Sequence, residues 1–189
     1  MSVGSFAPPE TRYARNGDVH LAYQTLGEGP PDLLSVTGSP GSHVEHFWEE
    51  PSIVRAARRF ATYGRLILFD QRGSGLSDPV APHEVPTMEQ HVDDIRAILD
   101  EVGSPRAVLI GYLSGAAPAM VFAASHPERV EALILFGPYA KLTIDDDYPV
   151  GELTAADVDQ LVAATLASWG KASALPMFAP SMVDDPAFT

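Results

Sequence analysis

Cysteine is missing altogether. Its absence excludes disulfides, thiolate metal sites and cysteine nucleophiles together. Positive charge is also scarce, with 12 Lys and Arg against 25 Asp and Glu and a net charge of −13. Such a surface repels phosphate backbones and anionic headgroups, so nucleic acid and membrane surfaces are poor partners. No apolar run approaches the roughly 18–20 residues that a membrane span requires. Residues 1–10 carry neither a basic n-region nor an apolar h-region, so no secretory signal is expected and the cytoplasm is the expected compartment. What is present is an ordinary globular composition, 46% hydrophobic over 189 residues, long enough for one domain with a core.

Hydrophobic periodicity divides the chain into alternating elements. Arg12-Tyr13-Ala14 and Val19–Gln24 read as two short strands, with Asn16-Gly17 between them as a hairpin signal. A third strand, Leu33–Val36, opens into Gly38-Ser39-Pro40-Gly41. Continuous apolar runs at Arg65–Phe69, Ala107–Ile110 and Ala132–Phe136 suit parallel strands covered on both faces. Glu50–Thr62 can be helical, with Pro51 near its first turn. Thr87–Val102 is a stronger helix: Met88, Val92, Ile95, Leu99 and Val102 share one face, and Thr87 with Gln90 forms a capping box. Later, Thr154 and Asp157 cap a helix whose apolar face is Val158, Leu161, Val162, Leu166 and Trp169, ended by Gly170. Strands alternating with helices predict an α/β sheet wound by right-handed crossovers.

The informative stretch is Val108-Leu109-Ile110-Gly111-Tyr112-Leu113-Ser114-Gly115. A buried strand runs straight into a helix through Gly-x-Leu-x-Gly. In a nucleophile elbow the central residue sits on a strained turn, so the residues two before and two after must be small. Gly111 and Gly115 meet that requirement around Leu113. Centring the turn on Ser114 would put Tyr112 and Ala116 at the tight positions, and Tyr112 would clash. Leucine has no lone pair to attack with, so Leu113 and Tyr112 are expected to line or plug an apolar pocket. Ser114 then begins the helix, and its N–H remains a candidate oxyanion donor. The competing possibility is a turn slipped by one residue, with Ser114 as the nucleophile.

A second motif, Asp70-Gln71-Arg72-Gly73-Ser74-Gly75-Leu76-Ser77-Asp78, follows a strand. It lacks the third glycine of a dinucleotide fingerprint. Asp70 and Arg72 are expected to tie this structural loop by charge-assisted bonds. Asp145, Asp146 and Asp147 read as a solvated loop without the spacing of a calcium site. Among the six histidines, His126 is expected at a helix C-terminus, His91 on an exposed helix face and His83 in a loop. His43 and His46 could approach the mouth of a site, but with Leu113 central they have no nucleophile to activate.

The Asp70–Asp78 loop, the elbow and Ser125-His126-Pro127-Glu128-Arg129-Val130 resemble the α/β-hydrolase superfamily. Tyr13–Gln24 and Trp48-Glu49-Glu50-Pro51 resemble hydrolase domains found beside nucleotide cyclases and transcriptional regulators. Phe178-Ala179-Pro180-Ser181 and Asp184–Phe188 resemble the start of that group's cap. The resemblance implies a mostly parallel sheet with helices on both faces, an N-terminal hairpin and a partial helical cap. It divides the chain into a core at 1–140 and a cap at 141–189, lacking strands seven and eight and with them the catalytic acid and histidine. Leu113 replaces the expected serine, and Thr37 replaces the histidine of a His-Gly loop, leaving Gly38, Ser39 and the N–H of Ser114 for an oxyanion. The expected function is a catalytically impaired hydrolase-fold protein. The alternatives are an ester hydrolase using Ser114 and a small-molecule-sensing domain of a signalling protein. No metal or organic cofactor is implied. The apolar strand Ala132–Phe136, as an edge, and the helix carrying Trp169 are expected self-association surfaces.

Overall fold

The computed structural model describes residues 7–38, 42–81, 83–168 and 180–183. The chain divides into two compact units, Met1–Tyr139 and Ala140–Thr189.

The first unit is built on six strands: β1 (Arg12–Asn16), β2 (Val19–Leu26), β3 (Asp32–Val36), β4 (Arg65–Phe69), β5 (Ala107–Tyr112) and β6 (Val130–Phe136). Their spatial order is β1-β2-β4-β3-β5-β6. The hairpin β1–β2 joins β4 antiparallel, whereas β3, β4, β5 and β6 pair parallel to their neighbours. The hairpin turn is Gly17-Asp18, one residue later than Asn16-Gly17, because Asn16 still pairs with Val19. Gly17 supplies the positive φ, at 62°, that a two-residue hairpin turn needs. Asn16 instead donates its amide to Asp94 Oδ1 at 2.8 Å.

Helices cover both faces. Helix α2 (Met88–Glu101) and helix α3 (Ala116–Ser125) bury Val92, Ile95, Ile98, Leu99, Ala119 and Phe122 against Leu34, Ile67 and Leu109. The capping box of Thr87 and Gln90 forms as the spacing predicts. On the opposite face, helix α1 (Pro51–Phe60) packs Val54, Ala57 and Phe60 near Leu66, Leu68 and Ile110. Pro51 sits in its first turn, and the Glu50 carboxylate accepts the Ser52 N–H.

The second unit contains helix α4 (Ala155–Ala167), started by the capping box of Thr154 and Asp157. Val158 is half-buried, and Leu161, Val162 and Leu166 are exposed. Trp169, Gly170 and most of the segment resembling a cap lie outside the described residues. The Asp145 carboxylate accepts N–H groups from Asp147 and Tyr148 and pairs with Lys141, which makes this acidic run a self-bonded turn. Among the described residues no helix is long and apolar enough to cross a membrane.

Candidate functional site

Strand β5 ends at Tyr112, and a single 3-10 turn, Leu113–Gly115, leads into α3. Leu113 has φ +49°, making it the one non-glycine in the left-handed region among the described residues. A β carbon on Gly111 would lie 2.8 Å from Ala116 Cα. One on Gly115 would run into the Val36 carbonyl and lie 2.6 Å from the carbonyl carbon of Thr37. Both flanking positions therefore have room only for glycine, and Leu113 is the apex between them.

The two residues at the turn point different ways. Leu113 is 57% exposed and leans toward the end of β6, where a β carbon on Gly137 would lie 2.9 Å from its Cδ2. The hydroxyl of Ser114 lies toward the end of β3, so close to Gly38 that a β carbon there would overlap it. The first N–H groups of a helix have no acceptor within it. At this turn they include the N–H of Ser114, and the backbone nitrogen of Gly115 would lie 3.2 Å from a β carbon on Gly38. Ser39 lies outside the described residues.

A left-handed conformation costs a residue with a β carbon roughly 1–2 kcal/mol, and glycine returns part of that through its own backbone entropy, about 0.5–1 kcal/mol. Leu113→Gly is therefore expected to raise stability by about 0.5–1 kcal/mol in urea unfolding. A loss instead would mean that the leucine is held by packing that its exposure does not reveal.

Two cavities flank the turn. One, of about 280 Å³, lies between α1 and the sheet and is lined by Phe47, Ile53, Phe60, Leu68, Ile110 and Tyr112 among others. Tyr112 stacks on Phe136 with ring centroids 5.0 Å apart, and burial pushes its phenol above the ordinary range. Tyr112 thus belongs to this cavity, while the Leu113 side chain projects from the apex. The other cavity, of about 220 Å³, is lined by Gln71, Pro86, Met88, His91, Ser114 and Pro118.

His91 is half-buried, which corrects the expectation of an exposed helix face. It lies three residues before the buried Asp94 on α2, so it turns toward the loop after β4 and not to solvent. Its Nδ1 is buried without a partner. Burial pushes the imidazole below its ordinary range; nearby Arg72 adds to this and Asp94 opposes it. The spacing of His91 and Asp94, three apart on one helix, is the sequence signal that could have placed it.

Asp70 and Arg72 tie the loop after β4 by charge-assisted bonds, as expected, each to partners of its own. Asp70, fully buried, accepts the N–H groups of Val44 at 3.0 Å and Leu76 at 2.9 Å. Burial pushes its carboxyl above the usual carboxylate range, and those two N–H groups oppose the shift. Arg72 does not pair with Asp70. Its guanidinium forms a bidentate pair with Asp94, at 2.6 and 2.7 Å. Gln71 donates to the Thr37 carbonyl at 2.5 Å, holding the β3 end beside the elbow. The remaining histidines stay apart from Ser114. The rings of His43 and His46 lie 4.0 Å apart and are tilted by 46°, and His46 pairs with Glu49. His126 caps the end of α3 and stacks on Phe122.

The chain is similar to known proteins in sequence and in fold. The chain is 33% identical over 140 residues to a proline iminopeptidase of Arabidopsis thaliana, covering 70% of this chain and 34% of that protein. It is 31% identical over 142 residues to a 2-hydroxy-6-oxononadienedioate/2-hydroxy-6-oxononatrienedioate hydrolase of Pseudomonas putida, covering 72% and 48%. Among solved structures, the esterase EaEST from Exiguobacterium antarcticum superposes with a TM-score of 0.68 at 26% identity, covering 82% of this chain and 55% of that one. The chain spans less than half the length of the curated relatives it matches. The sequence profile described as alpha/beta hydrolase fold matches residues 33–174, from β3 through the elbow and beyond α4. With its strand order, its glycine-flanked turn and its hydrolase relatives in agreement, the chain belongs to the α/β-hydrolase fold family.

Proposed function

We propose that this chain is a hydrolase-fold protein whose elbow has lost its nucleophile and serves as the apolar floor of a small-molecule site. The observation that carries this reading is Leu113 itself, at φ +49° and 57% exposed between two glycines that tolerate no side chain. A serine at that apex would offer a hydroxyl to a carbonyl carbon. Leucine offers four carbons, which favour an apolar ligand and leave it uncleaved. The N–H groups at the start of the helix can still donate hydrogen bonds to a carbonyl oxygen, so an ester or ketone would be held without being attacked. The resemblance to hydrolase domains beside nucleotide cyclases and regulators favours a sensing role within a signalling protein, in the cytoplasm.

Fluorophosphonate labelling of the folded chain, read by intact mass and peptide mapping, tests this directly. No adduct is expected. A second reading has one observation behind it: Ser114 and His91 line the same cavity, and His91 is depressed toward its neutral, basic form. In that reading Ser114 attacks an ester and His91 takes its proton, so an adduct would map to Ser114 and vanish in His91→Gln. That result would replace the first reading.

A further inference from the structure

The smaller of the two cavities beside the elbow, of about 220 Å³, is built entirely within the first unit. Gln71 comes from the loop after β4, Pro86, Met88 and His91 from the entry to α2, and Ser114 and Pro118 from the elbow and α3. At roughly 30 Å³ for each water-sized group, such a space takes about seven non-hydrogen atoms.

Its walls are mixed. Pro86, Met88 and Pro118 are apolar, and a methionine side chain can shift to fit a ligand's chain. The polar members are Gln71, Ser114 and His91. Gln71 already commits its amide nitrogen to the Thr37 carbonyl. His91 carries a buried Nδ1 that no protein group bonds. Buried polar atoms are nearly always paired, so a group that enters the cavity and bonds Nδ1 completes what the fold leaves open.

Charge and proton count narrow the class of that group. No lining residue carries a fixed charge, and Arg72 and Asp94, which lie near His91, are bound to each other. A carboxylate or an ammonium entering the cavity would lose its water with no counter-charge to meet it. An anion would also approach a chain of net charge −13. Burial holds the imidazole toward its neutral form. A neutral imidazole offers Nδ1 as donor or acceptor according to its tautomer, and a hydroxyl matches both because it donates and accepts. The Ser114 hydroxyl can meet it in the same two ways.

We infer that this cavity binds a neutral small molecule through a hydroxyl group, with His91 as the residue that selects it and Pro86, Met88 and Pro118 holding a short apolar chain. The ligand class is an alcohol, or an ester or ketone that also carries a hydroxyl. The inference rests on the reading of the elbow as a small-molecule site that leaves its ligand uncleaved, and it names the group that the site recognises.

Titration of the whole ¹⁵N-labelled chain with hexan-1-ol, hexanoate and hexylammonium, followed by NMR, tests this with one chain length and three head-group charges. Hexan-1-ol is expected to bind about tenfold or more tightly than either ion. His91→Phe keeps a ring without its nitrogens and should weaken the alcohol about tenfold, the scale of one hydrogen bond. His91→Asn returns a donor and an acceptor near the Nδ1 position and should restore most of the affinity. The Nδ1 signal of His91 in the unaltered chain should shift as the alcohol is added, which keeps the test decisive even if His91→Phe fails to fold. No binding of hexan-1-ol, equal binding of the three probes, an unchanged affinity in His91→Phe or a still Nδ1 signal would each overturn the inference. Hexan-1-ol has no acyl carbon to attack, so its binding reports on the cavity alone. A fluorophosphonate adduct at Ser114 would overturn the reading of the elbow and leave alcohol binding in place, whereas indifference to the head group would do the reverse.

Discussion

Replacing Asp94 by alanine is expected to cost about 3–5 kcal/mol, the range for removing one partner of a buried ion pair. The folded state of a domain this size stands only about 5–15 kcal/mol below the unfolded one, so much of the population would unfold at physiological temperature. Asp94 is 1% exposed, and its two oxygens accept three hydrogen bonds, two from Arg72 and one from Asn16. Those bonds join α2, the loop after β4 and the β1–β2 hairpin at one point. The hydrogen bonds of Asp94 hold the Arg72 guanidinium further above its ordinary range, so alanine strands a cation that cannot shed its proton. Asp94→Asn keeps the shape and one acceptor and should fall between alanine and the native residue. The combination Asp94→Leu with Arg72→Met removes both charges and should cost less than Asp94→Ala alone. Urea unfolding of the four proteins checks the order. A cost under 1 kcal/mol for Asp94→Ala would mean that the pair is solvated.

That ion pair marks the boundary of what the sequence disclosed. The strands were legible because apolar runs and turn residues are local, and α2 and α4 were legible because a capping box spans four residues. The elbow was legible for a steric reason: only glycine fits at 111 and 115, and that restriction is written directly in the residue types. The partner of Arg72 was not. Asp94 lies twenty-two residues further on, and nothing local to Arg72 in the sequence points to it. Asp94 also interrupts an apolar helix face between Val92 and Ile95, which reads as a solvated edge until the loop after β4 is seen to cover it. The same covering turned His91 inward. Strand β6 was expected to be covered on both faces, yet Ile134 and Phe136 remain partly exposed on the α1 face. Which neighbour covers a strand depends on the whole fold and not on the strand's own residues.

Gly115→Val is expected to be the most damaging single change at the elbow, with Gly115→Ala close behind. The position has an ordinary helical φ of −70°, so what it lacks is space and not conformational freedom. Any β carbon meets the Val36 carbonyl and the backbone of Thr37, and backbone held in a sheet cannot swing aside as a side-chain tip can. Overpacking usually costs about 1–3 kcal/mol and more where nothing can yield, so alanine should cost at least about 3 kcal/mol and valine more. Two controls separate this from a general effect. Ser114→Ala, one residue earlier, should change stability by no more than about 0.5 kcal/mol, as changes outside special environments do. Gly103→Ala meets nothing within 4 Å but has φ +65°, so it should show only the conformational penalty of about 1 kcal/mol. The elbow assignment depends on the outcome. A large loss at Gly115 beside a neutral Ser114→Ala fixes the tight approach of α3 to β3 and with it Leu113 as the apex. If Gly115→Ala were tolerated, the turn would be free to slip by one residue. Ser114 would then reach the apex beside His91, as the second reading of the site requires.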